Sequence, residues 1–161
     1  MQIPSSQQKT PDPTFAPVVS AEVQIPWILR VVYCGLGAGI IALLVLASTL
    51  SPDPSGIGTH EQLGLPPCGI QFAFGIPCPS CGMTTSWALA TRGRLIKSAQ
   101  SNLGGFLMAL MAVPAAYWLL ASGYQGRWVM WIPDPLLISG LFAVIIAGAM
   151  IQWAIRLQIQ F

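Results

Sequence analysis

In a chain of 161 residues, 54% are hydrophobic and only 7% are charged, too few charges for a soluble surface, where about a quarter is ordinary. A net charge of +2 without a basic tract argues against nucleic acid as a partner and leaves the lipid bilayer as the environment that suits the surface. The length allows one domain.

Residues 1–26 place Pro4, Pro11, Pro13, Pro17 and Pro26 among Ser, Gln and Thr. Such a stretch cannot bury enough apolar surface to offset its ordering entropy, so a disordered tail is expected. A single membrane domain is expected over 27–161. No charge falls between Arg30 and Asp53, between Lys97 and Arg127, or between Asp134 and Arg156. Each gap holds an apolar run, and about 20 such residues cross the hydrocarbon core as a helix. The spans are expected near Trp27–Leu50, Leu103–Ser122 and Pro135–Ile155. The first is too long, and starts too far along the chain, to resemble a signal peptide.

Within the first span, Cys34 reads as a small apolar filler, and Gly35 and Gly39 stand one turn apart, as close-packing positions do. Pro114 is expected to kink the second span. Asp134 and Pro135 suit the cap and first position of the third, where Ala143 and Ala147 repeat the small-residue spacing. Trp27, Tyr117, Trp118, Tyr124, Trp128, Trp131 and Trp153 crowd the span ends, as rings with a polar edge do at headgroup level.

The loop over 51–102 carries the chemistry. After the turn-rich Ser51-Pro52-Asp53-Pro54-Ser55-Gly56 come His60, Cys68, Cys78 and Cys81. Ile70, Phe72, Phe74 and Ile76 alternate, as in a short extended run or a membrane-dipping turn, while Gly69, Gly75 and Gly82 permit tight bends beside the cysteines. From Met83 to Ile96 an amphipathic interfacial helix is expected, with Trp87 towards lipid and Arg92, Arg94 and Lys97 near headgroups. The fold class is therefore an all-α membrane protein: three transmembrane helices, one interfacial amphipathic helix and a cysteine-containing loop.

Three readings of the cysteines compete. They could bind a metal, zinc above all, with two sulfurs from the C-x-x-C pair, Cys68 third and His60 fourth. They could form a structural disulfide from Cys68 to Cys78 or Cys81. Or Cys78 and Cys81 could be a redox couple near a helix N-terminus. With a metal or a disulfide as the cross-link, Cys68, Cys78 and Cys81 are expected to act as one unit that fixes the loop. Apart from them there is no nucleophile–base pair, cofactor motif or intramembrane charge. The sequence thus favours a non-enzymatic accessory or assembly component over a membrane thiol-disulfide oxidoreductase, with other membrane proteins or a second copy as possible partners. A transporter fits less well, because no buried charge marks a path.

The stretch from Cys68 through Gly75-Ile76-Pro77-Cys78-Pro79-Ser80-Cys81-Gly82-Met83-Thr84 resembles the signature of a bacterial family of small membrane proteins, known as a domain of unknown function. About Ser51 to Leu120 fits its pattern, in which Pro79, Gly82 and Thr84 are the motif positions that accompany the cysteines. Gly69 stands where the family often has Pro, Phe74-Gly75 replaces Thr-Gly, and Thr85 replaces a common Arg. The resemblance implies a bacterial inner-membrane protein with no assigned activity. It further implies a cytoplasmic N-terminus, which puts the cysteines outside and favours a disulfide over free thiols. Charge alone does not orient the chain: Lys9, Arg30 and Arg127 fall on one side, and Arg92, Arg94, Lys97 and Arg156 on the other.

Overall fold

In hydrocarbon every backbone polar group must be paired within its own segment, which an apolar run achieves as a helix. The computed structural model of the protein describes residues 24–130, 132 and 134–160. Nearly all of the tail expected over 1–26, and Trp131, lie outside the described residues. The elements are α1 (Trp27–Thr49), a 3-10 turn (Thr59–Leu63), α2 (Gly69–Phe74), α3 (Met83–Ala90), α4 (Leu95–Ser101), α5 (Leu103–Gln125) and α6 (Pro135–Gln160). Helices α1, α5 and α6 are long and apolar enough to cross a membrane. Their starts coincide with those read from the sequence. α5 and α6 run on past Ser122 and Ile155, and α5 continues through Pro114. Asp134 caps α6, its Oδ1 accepting the Leu136 N–H at 2.8 Å.

The interior is built from small side chains. Ala47, Ala88, Ala109, Ala112 and Ala116 are buried, whereas large residues such as Leu36, Val113, Leu137 and Val144 are exposed. Without a hydrophobic drive between helices in lipid, close backbone approach supplies the attraction. Helices α1 and α5 pack antiparallel. A Cβ on Gly37 would stand 2.7 Å from Leu120 Cγ, and one on Gly123 would stand 2.8 Å from Cys34 Sγ. Cys34 therefore fills the space beside a glycine, in keeping with its reading as a filler. Gly35 and Gly39 are different: a Cβ on either meets nothing. Two residues along a helix is a turn of about 200°, so both lie roughly opposite Gly37, away from α5. Ala143 and Ala147 are likewise exposed. Helix α6 meets α5 through Ile145, Gly148 and Ala149, close to Leu103 and Gly104.

Both ends of the bundle are tied by polar contacts. At one end, Arg30 donates from Nε to Gly123 O at 3.0 Å and from Nη2 to Tyr124 O at 2.9 Å. These are terminal carbonyls that α5 cannot pair itself. Tyr33, Trp118 and Trp128 cluster nearby, with ring centroids 5.7–6.1 Å apart.

At the other end, the segment expected as one interfacial helix is a hairpin. Gly93 adopts φ +71°, which ends α3, and α4 folds back along it. The facing surfaces are polar and small: Ser86 Oγ and Ser98 Oγ lie 2.9 Å apart, and Ser86 Oγ donates to Asn102 O at 3.1 Å. A helix with buried hydroxyls must answer them with a partner helix, so this segment folds onto itself and onto α5. At the hairpin tip, Arg92 donates to Ala88 O at 2.7 Å and reaches Ser48 O at 3.1 Å, capping α1.

Two outcomes follow. After alkaline carbonate extraction, the protein stays with the membrane fraction. Gly37→Val lowers stability in detergent by about 1–3 kcal/mol through overpacking against Leu120, while Gly39→Val leaves it within about 0.5 kcal/mol. Thermal unfolding of the purified variants compares them directly.

Candidate functional site

Cys68 occupies the N-cap of α2, a short helix where the alternating pattern allowed an extended run. Gly75 ends it at φ +71°, with its N–H bonded to Gln71 O at 3.0 Å. This is a helix-stopping glycine, and it was the signal for helix in a run too short for periodicity to decide. Phe72 and Phe74 are left 86% and 74% exposed. The chain then turns back through Pro77, whose carbonyl accepts the Trp153 indole N–H at 2.7 Å. Trp153 thereby serves as a bond from α6 to the cysteine loop, a role distinct from the span-end marker its position suggested.

Cys78 to Cys81 form a turn, with the Cys81 N–H on Cys78 O at 3.0 Å. Gly82 follows at φ +86° and opens α3. A Cβ there would collide with Ser101 O and lie 2.6 Å from Gly56 O. Of the three glycines near the cysteines, Gly75 and Gly82 thus carry left-handed backbone, and Gly69 is an ordinary first helical residue. Asn102 holds the turn from below. Its Nδ2 donates to Pro79 O at 3.0 Å and to Cys81 O at 3.2 Å, and its Oδ1 accepts the Gly105 N–H at 2.8 Å.

These constraints bring three sulfurs together. Cys68, Cys78 and Cys81 have Sγ atoms all within 4.8 Å of one another, and Cys78 Sγ lies 3.2 Å from Cys81 Sγ. All three are free thiols. A disulfide needs about 2.05 Å, while sulfurs at about 2.3 Å from a tetrahedral metal are about 3.7 Å apart. The spread brackets the second value, and soft thiolate donors suit zinc-class cations. The cluster therefore could hold a metal. Cys34, on α1, lies apart from it against Gly123.

His60, on the 3-10 turn, lines the same cavity of about 390 Å³, with Gln71, Ser80 and Thr84. Its Nε2 lies 3.3 Å from Pro66 O. A carbonyl only accepts, so Nε2 is the donor in this contact. His60 is thus at the rim of the cluster and outside the group of three sulfurs. Thr85, where the resembled family commonly has Arg, is buried with its Oγ1 2.8 Å from Thr59 Oγ1. Arg156, arriving from α6, lies within electrostatic reach of Cys81. Asn102, Trp153 and Arg156 had no motif to mark them, because they lie 21 or more residues from Cys81 in sequence.

The thiols are unequal. The Gln71 backbone N–H beside the Cys68 sulfur, helped by the Cys78 thiol, draws the Cys68 pKa down to about 7. Burial, then the neighbouring Cys78, pushes Cys81 up to about 12.

Gly82→Ala should cost about 2–5 kcal/mol, combining a left-handed non-glycine with a backbone collision, and should disperse the sulfurs; thermal unfolding and thiol accessibility report both. In metal-stripped, reduced protein, Cys68 is the thiolate former. An acid whose folded pKa is depressed gains its charge as pH rises through that value, so alkylation of Cys68 should climb through about pH 7. Cys81, shifted the other way, should stay protonated and slow up to pH values well above its ordinary range. Peptide mass spectrometry of alkylated samples at stepped pH separates the two.

Residues 68–116 match a family described as a protein of unknown function, DUF2752. The match starts at Cys68 and takes in Cys78, Cys81, the α3–α4 hairpin and the first half of α5. No curated protein and no solved structure matches the chain. The cysteine cluster and the helices that hold it are thus the part of this chain that is similar to that family of unknown function.

Proposed function

We propose that this is a non-enzymatic accessory or assembly protein of a bacterial inner membrane, whose loop cap is fixed by a zinc-class cation on Cys68, Cys78 and Cys81. The convergence of three free thiols within 4.8 Å carries the reading. A single disulfide would use two of them and leave no purpose for the third. His60, which lines the same cavity, is the proposed fourth ligand. Gln71 at the same rim and solvent are the alternatives to it. The bound cation supplies cross-linking of a loop rich in Pro and Gly; this chain's part is to present the thiols on three rigid supports, namely the α2 N-cap, the Cys78–Cys81 turn and Asn102. Following the family resemblance, the cysteine face is proposed to lie outside the cytoplasm, where partner membrane proteins would dock beside it.

A second reading is supported by the 3.2 Å separation of Cys78 Sγ and Cys81 Sγ. In it, Cys78 and Cys81 exchange with a partner's disulfide: their two thiols become a disulfide and the partner's disulfide becomes two thiols.

Elemental analysis of the full chain, purified anaerobically without chelator, separates the readings. One zinc-class ion per chain is expected, lost in Cys68→Ser, Cys78→Ser and Cys81→Ser and weakened about 10–100-fold in His60→Ala, the scale of a perturbed metal site. Metal-free protein with Cys78 and Cys81 cycling between thiol and disulfide in growing cells would reject the metal centre and establish the exchange reading.

A further inference from the structure

A second cavity, of about 730 Å³, is lined by Pro77 and by none of the three cysteines. Its walls come from the turn after α1, from α4 and from α6, and three cations line it: Arg94, Lys97 and Arg156. One carboxylate, Asp53, also lines it and keeps its charge, so three cations stand against one anion. Asp53 Oδ1 accepts from the Ser55 N–H at 2.8 Å and from Ser55 Oγ at 2.6 Å. The side chains of Arg94 and Lys97 are exposed and make no hydrogen bond or ion pair among the described residues. Arg156 is half-buried, and its Nη2 holds Gln100 O and Ser101 O, which leaves Nε and Nη1 without a partner among the described residues.

Three cations converging on one concave space repel one another, and that repulsion is relieved by an anion. A guanidinium with two free donors matches the oxygens of a phosphate. The volume lies in the range of a small-molecule site. Position adds a second constraint: Pro52 and Asp53 come within four residues of the end of α1 at Thr49, and α1 is long and apolar enough to cross a membrane, which suits a ligand at headgroup level.

We propose that this cavity is a binding site for a phosphate-bearing anion, an anionic lipid headgroup or a soluble phosphate, held by Arg94, Lys97 and Arg156. It does not require a metal on the cysteines.

The test uses the full chain in neutral detergent, titrated with phosphatidylglycerol in mixed micelles and, separately, with inorganic phosphate, and read by native mass spectrometry. Saturable binding of at least one probe is expected. The double variant R94Q/K97Q should weaken it roughly tenfold or more, the scale of losing charge-assisted contacts. Both side chains are exposed and bond to nothing else described, so the variant should fold. R127Q, at the opposite end of the bundle, should bind as the parent does. Phosphatidylglycerol binding that inorganic phosphate does not displace identifies a lipid site; binding of, or displacement by, inorganic phosphate identifies a soluble ligand. Failure of both probes to saturate, or parent-like binding by R94Q/K97Q, would overturn the proposal.

Discussion

The side-chain amide of Asn102 is the contact on which the cysteine end of the molecule depends. It is 2% exposed and makes three hydrogen bonds, to the Gly105 N–H, Pro79 O and Cys81 O. Through the first it caps α5, pairing a donor that a helix start leaves open. Through the other two it fixes the turn that carries two of the three thiols. Its own backbone carbonyl accepts from Ser86, which ties in the hairpin. An apolar replacement would strand a donor and two acceptors in a site closed to water, where each unmade bond costs about 1–3 kcal/mol. The membrane helix and the sulfur geometry are therefore one structural unit.

Around that contact the usual distribution of residue types is inverted. The most deeply buried side chains include Thr59, Thr85, Ser86, Ser98 and Ser122, while the large hydrophobic ones point outwards to lipid. Hydroxyls serve well here because they are small enough for close packing and can pair with one another, as Thr59 does with Thr85. The specificity of the cap comes from hydrogen bonds, and its cohesion from the near contact of glycine and alanine backbones.

Much of this was legible in the sequence. The three spans follow from runs without charge, since one charged residue in hydrocarbon outweighs many local preferences. The cysteine cluster was visible as a possibility because C-x-x-C sets two sulfurs close on any tight turn. What escaped was what depends on faces and on distant pairs. Gly35 and Gly39 have the spacing of an interface, yet Gly37 is the residue that meets α5, since one small pair cannot show which side of a helix faces protein. The alternation of Ile70 to Ile76 suggested an extended run or a membrane-dipping turn, and Gly69–Phe74 is a short helix stopped at Gly75. The break at Gly93 turned one amphipathic helix into two. Asn102, Trp153 and Arg156 reach the loop from elsewhere in the chain, beyond any local pattern.

The arginine caps impose an order on synthesis. Arg30 reaches carbonyls 93 and 94 residues ahead of it, so the end of α5 finds its cap already made when it leaves the ribosome. The end of α4 does not: Gln100 O and Ser101 O wait for Arg156, 55–56 residues later, and Pro77 O waits 76 residues for Trp153. Until α6 has entered the bilayer, the floor under Cys78 and Cys81 is incomplete. The loop that carries Cys78 and Cys81 thus gains its contacts with α6 only once the last of these anchors has been made.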